Sequence, residues 1–215
     1  MEGVVTAIEP QQRGGGKRVN VFLNDRYALS LQLELADALR IGQFISSAQF
    51  LVLANSDERA RAMDVALHLL GYRPRSEKEL RARLHTKGYP AVILDQVIAR
   101  LEELKLVDDQ AFASYWVEQR QGRAPRGRRL INQELRMKGV DADVVADATR
   151  DSADEQELAY RAGLKKAQVL ASLDERVFQQ RLGAFLQRRG FDWDSVSTAV
   201  RRLRQDVTNG QSRGV

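Results

Sequence analysis

The chain has 215 residues, 43% of them apolar and 29% charged, with 34 basic against 29 acidic side chains and a net charge of +5. That balance belongs to a folded globular chain, and the absence of cysteine excludes disulfides, thiolate metal sites and cysteine nucleophiles. No stretch approaches the roughly 18 apolar residues of a membrane span, and Met1-Glu2-Gly3-Val4 has neither the basic start nor the apolar core of a signal peptide, so a cytoplasmic protein without membrane attachment is expected.

Residues 1–47 carry strand-like patterning. Val4-Val5-Thr6-Ala7-Ile8 is a β-branched run ending at Pro10, and Val19, Val21 and Leu23 alternate with polar residues. Asn24-Asp25 supplies turn chemistry, and Tyr27, Leu29 and Leu31 resume the alternation in a returning strand. A three-stranded unit is predicted, closed by a short helix over Leu33–Leu39 that Gly42 ends. Between the strands, Gly14-Gly15-Gly16-Lys17 lacks the following helix and the Ser or Thr of a phosphate cradle, and reads as a flexible hairpin loop.

From Ser47 onward the period is helical. Ala48–Gly71 is one long amphipathic helix or two short ones, with Ala62, Ala66, Leu69 and Leu70 near one face. Beyond it a repeat appears. Gly88, Gly139 and Gly190 lie 51 residues apart, each within the form Leu-x-x-(Lys/Arg)-Gly-(apolar). Glycine at this place takes the left-handed conformation that ends a helix, and the apolar residue after it packs back onto the leucine. Asp141 and Asp192 then stand where a helix cap is wanted, with Pro90 in the first copy, while Ser76 and Glu79 form a capping box upstream.

Each copy is therefore a three-helix unit, whose first helices run roughly over Asp57–Gly71, Gln110–Gln121 and Glu155–Ala171. The fold expected is mainly α: an elongated array of three such repeats at 48–108, 109–152 and 153–207, after a small β unit at 1–47 and before a flexible tail at 208–215.

The leucines and glycines are explained by core and caps. The basic residues are not, and they carry the functional expectation. Arg73-Pro74-Arg75-Ser76 aligns with Ala124-Pro125-Arg126-Gly127, and bases continue along each middle helix. From Arg120 to Lys138 seven bases face one acid, Glu134, whereas the third copy has Asp174-Glu175-Arg176 in the same turn. An anionic or acidic partner is expected at Arg73, Arg75, Lys78, Arg81, Lys87, Arg120, Arg123, Arg126, Arg128, Arg129, Arg136 and Lys138, centred on the second copy. Phe112 and Trp116 are read as core residues at helical spacing.

Four groups of residues resemble the RecX family of bacterial recombination regulators. They are Arg73-Pro74-Arg75-Ser76-x-x-Glu79-Leu80; Lys87-Gly88-Tyr89; Leu106-Val107-Asp108-Asp109-x-x-Phe112-Ala113; and Pro125-Arg126-Gly127 with Glu134-Leu135-x-x-Lys138-Gly139. The likeness covers residues 57–205 with the motifs in the expected order, and the β unit looks like an extension found in part of that family. It implies tandem three-helix repeats that bind RecA filaments on single-stranded DNA. Such proteins limit filament growth, ATP hydrolysis, strand exchange and the coprotease activity behind the SOS response, and some bind DNA directly.

Two other classes were weighed. A DNA-binding protein acting on naked single- or double-stranded DNA would show tight, salt-steep binding without a protein partner. An enzyme is disfavoured: the two histidines, His68 and His85, have no companion ligands at metal-site spacing, and no carboxylate pair stands out as acid and base. A monomer without cofactor or metal is expected.

Overall fold

The structure, a computed structural model, describes residues 1–11, 17–150 and 154–212. The glycine-rich stretch at 14–16 lies outside the described residues, as do 213–215. The chain divides into two compact units, the first Met1–Arg73 with Leu80–Leu106 and the second Pro74–Glu79 with Val107–Val215.

The first unit opens with a sheet of strand order β3-β2-β1-β4. Strands β1 (Gly3–Pro10), β2 (Arg18–Leu23) and β3 (Arg26–Gln32) form an antiparallel meander. Asn24 and Asp25 both take positive φ (49° and 61°), which the two-residue turn between twisted strands requires. Val19, Val21, Leu23 and Leu31 point inward as their alternation demands. Tyr27 does not: the register slips between Val21 and Phe22, so Tyr27 pairs with Phe22 on the outer face and remains 56% exposed. A fourth strand, β4 (Phe44–Ile45), pairs with Gly3 and Val4. Two residues are too few for a readable period. The short helix α1 spans only Leu33–Ala36, shorter than predicted, and Gly42 instead turns the chain into β4, its N–H donating to the Val5 carbonyl at 2.8 Å.

Helix α2 is continuous over Ser47–Tyr72. Ser46 and Gln49 cap it reciprocally, and neither glycine nor proline interrupts it before Gly71. Its amino-terminal half belongs to the sheet, with Phe50 and Leu53 packed on Val5, Val21 and Ile45. Asp57, 3% exposed, fastens the two together: it accepts the Gln32 N–H at 2.9 Å and pairs with Arg18 and Arg61, each at 2.9 Å. Of the two readings of Ala48–Gly71, the single long helix is the one found, and the β unit shares the part before Asp57. The carboxy-terminal half contributes buried Ala62 and Ala66, and packs on α4 (Ala91–Glu103), whose Ile93, Leu94, Val97, Ile98 and Leu101 are buried. Leu80 and Leu84 of α3 (Glu77–Thr86) are fully buried.

The second unit holds two further three-helix sets. Helices α5 (Asp109–Gln121), α6 (Arg128–Met137) and α7 (Ala142–Arg150) enclose Phe112, Val117, Ile131, Leu135, Val140 and Val145. Helices α8 (Glu155–Val169), α9 (Glu175–Arg188) and α10 (Trp193–Ser212) enclose Leu158, Phe178, Leu182, Leu186, Phe191 and Leu203. The chain is helical to Ser212, so the tail predicted from Thr208 begins as helix; Val207 still packs on the core and Thr208 Oγ1 donates back to the Arg204 carbonyl at 3.0 Å. The three glycine stops behave alike. Gly88, Gly139 and Gly190 have φ of 91°, 86° and 89°. In each, the glycine N–H and the next N–H reach back to the last turn, as in Tyr89 to Leu84, Val140 to Leu135 and Phe191 to Leu186.

Candidate regulatory interface

Seven bases around one acid suggested an outward-facing basic helix. In the second unit that acid organises its neighbours from within. Glu134 is 9% exposed on the inner side of α6. Its Oε2 accepts the Trp116 indole N–H at 2.8 Å and the Arg120 Nε–H at 2.7 Å, and its Oε1 pairs with the Arg126 guanidinium. Arg120 and Lys138 lie over the Trp116 ring, each 4.0 Å from its centroid. Lys138 Nζ completes the chain by donating to Glu79 at 2.6 Å. Burial and the like charges of Arg120 and Arg189 lower the Arg126 pKa somewhat, though a guanidinium still stays charged. A buried carboxylate of this kind needs its cations. The view that no core needs these bases therefore fails for Arg120, Arg126 and Lys138.

The proline-arginine turns also have a structural task, the same one twice. Ser76 Oγ donates to the Lys138 carbonyl at 2.7 Å, and the Gly127 N–H donates to the Arg189 carbonyl at 2.9 Å. Donors 76 and 127, and acceptors 138 and 189, are each one repeat apart. The first N–H of the middle helix goes in both cases to an acid opening the first helix of the next set: Glu77 to Asp109 at 3.0 Å, and Arg128 to Glu155 at 3.1 Å. Burial raises the pKa of both carboxyls, with the accepted N–H working the other way. Arg129 adds a bond to the Gln187 carbonyl at 3.1 Å, and Arg189 reaches Pro125 at 3.3 Å. In the third set the turn caps itself instead, Asp174 Oδ1 accepting the Val177 N–H at 3.1 Å.

The remaining predicted residues divide by exposure. Arg73 and Arg75, either side of Pro74, are half-buried, and Arg81 pairs with Asp95 at 2.6 Å. Lys78 is exposed at its head while its stem covers Gly139. Lys87, Arg123 and Arg136 are exposed, and among the described residues no acid pairs with them. Phe112 is buried as expected, and Trp116 packs on the same core. His68 Nε2 lies 3.3 Å from the Tyr72 hydroxyl, and no group of three potential metal ligands occurs among the described residues. No described helix is long and apolar enough to cross a membrane.

One exposed feature escaped the sequence reading. Trp193, at the start of α10, is 69% exposed and lines two grooves, one beside Arg176 and Arg201 and the other beside Arg128 and Arg129. The available signal was an aromatic residue directly following the capping Asp192, ahead of the first apolar-periodic position.

Fold and site together define a protein of tandem three-helix repeats, linked by a recurring turn and bearing unpaired bases on its middle helices. Known proteins sharpen this class. Models of the first, second and third RecX three-helix domains match residues 62–101, 108–148 and 153–200. The regulatory protein RecX of Chlorobium limicola is 39% identical over 140 residues, covering 65% of this chain and 87% of the relative. That of Clostridium tetani is 30% identical over 210 residues, covering 93% and 94%. A crystal structure of regulatory protein RecX superposes with a TM-score of 0.71 at 25% identity, over 96% of this chain and all of the other. The chain belongs to the RecX family of regulatory proteins.

Proposed function

We propose that the protein is a mainly negative regulator of RecA, binding the RecA–single-stranded DNA filament. On that reading it limits filament extension, ATP hydrolysis, strand exchange and coprotease activity, and has no catalytic step of its own. Family membership supports the regulatory role. The observation that carries the contact is the set of bases the fold leaves unused: Lys87, Arg123 and Arg136, exposed without acidic partners among the described residues. Arg120, Arg126 and Lys138 hold the surface that presents them.

The test separates the two groups. Reversing Arg123 and Arg136 to glutamate should weaken inhibition of RecA ATPase on single-stranded DNA at least about tenfold, as the loss of two charge contacts implies. Circular dichroism should not change, since neither residue holds an internal pair. Undiminished inhibition by a folded double variant would move the contact elsewhere.

A further inference from the structure

Trp193 has no evident structural employment. A large aromatic side chain normally enters a core, but this one is 69% exposed while its neighbours Phe191 and Val196 are buried. It stands where two grooves of the second unit meet. One, about 600 Å³, lies between α9 and α10, floored by Gly183, Ala184 and Val196, with Arg176 and Arg201 on its walls. The other, about 690 Å³, lies over the α6–α9 junction and contains Arg128, Arg129 and Asn132. Gln187 and Trp193 line both.

The two grooves differ in charge. The second sets Arg128 and Arg129 against Glu155 and Asp192, with Arg128 Nε 3.8 Å from Glu155 Oε2, so its charges balance. Arg176 and Arg201 are exposed and, among the described residues, pair with no acid. The first groove has no acidic residue in its lining at all. A flat aromatic face beside two cations without acidic partners, with the amides of Gln179, Gln180 and Gln187 along the same groove, is the chemistry that holds a stacked base and a neighbouring phosphate. A duplex keeps its bases stacked inside and could not use the ring this way.

We infer that the groove between α9 and α10 binds a single nucleic-acid strand, with one base on the Trp193 ring and a flanking phosphate at Arg176 and Arg201. This places a direct strand contact on the third repeat, whose proline-arginine turn is replaced by Asp174-Glu175. It does not depend on the filament reading, and the assay below contains no RecA.

The experiment titrates the full chain into a fluorescently labelled thymidine homopolymer long enough to fill the groove, following anisotropy and tryptophan emission together. Trp193→Ala should weaken binding about tenfold and remove most of the emission change, while Trp193→Phe, which keeps a stacking face, should retain most of the affinity. Arg176→Glu with Arg201→Glu should weaken binding and flatten the salt dependence by roughly 0.7 in log–log slope per arginine. Neither arginine holds an internal ion pair among the described residues, so helicity should persist. Wild-type affinity in both the alanine and the double-glutamate variants would overturn the proposal. So would saturation of the emission change by thymidine monophosphate with no gain on lengthening the strand, which would assign a free-nucleotide site. Displacement by polyglutamate without any strand binding would instead assign the groove to an acidic protein segment.

Discussion

Glu134 and Asp109 are both carboxylates removed from solvent, yet they respond oppositely to loss of charge. Glu134 is held by three donors, two of them cationic. Replacing it with alanine strands Arg120 and Arg126 and leaves the Trp116 N–H without its acceptor. A loss of about 3 kcal/mol is expected, read by urea denaturation at neutral pH. Asp109 accepts an N–H from Glu77 but faces Asp108, Asp141 and Glu77 itself rather than cations, and burial raises its pKa. Its ionised form is thus the one the fold disfavours. The associated stability is present below the unfolded-state pKa and is lost as pH rises through the higher folded-state value. Asp109→Asn keeps the accepting oxygen without the charge. Its thermal midpoint should equal or exceed that of the wild type at neutral pH, and the two curves should converge in acid. At this scale the sequence was readable where a residue's task is local, as at the three glycine stops. It was misleading where the partner lies far along the chain. The seven-to-one imbalance between Arg120 and Lys138 was read as an outward face, although the single acid within it marked a buried hub.

At the scale of elements, the linkage between repeats rests on backbone atoms brought unusually close. A Cβ added to Gly127 would fall 2.3 Å from the Gly190 carbonyl carbon, whereas one added to Gly71, inside α2, would meet nothing within 4 Å. The two alanine substitutions should therefore differ in sign. Gly127→Ala should destabilise the second unit by about 1–3 kcal/mol through forced separation of α6 from the Arg189–Gly190 turn. Gly71→Ala should stabilise by about 0.5–1 kcal/mol through helix propensity alone. Thermal unfolding of both variants checks the contrast. The periodicity of apolar residues was enough to place α5 and α8 to within a few residues, because each has a core face and a marked end. It left open whether Ala48–Gly71 is one helix or two. A helix that changes its packing partner halfway, from α4 to a sheet, shows one unbroken period with no mark at the handover.

Across the whole chain, that shared helix makes the β unit more than an appendage. Deleting residues 1–46 would uncover Phe50 and Leu53 and leave buried Asp57 without Arg18 and the Gln32 N–H. The truncated chain should melt at a lower temperature and bind an apolar dye that the full chain does not, by scanning fluorimetry. An independent β domain would come away without either effect.

The turn at Asp174 sets the third repeat apart. In the two preceding turns the residue before the middle helix donates to the following set, Ser76 doing so while its Oγ also accepts the Glu79 N–H at 3.3 Å, so each of those sets has an outgoing connector. Asp174 keeps its bond for its own helix. Duplicating the gene segment for the third set would consequently yield a fourth that folds but is not fastened. Fastening a further set would require writing a Pro-Arg-Gly turn into positions 172–174 first, so that the glycine stands at the cap. The third set thus carries a private cap where the first two carry a connector.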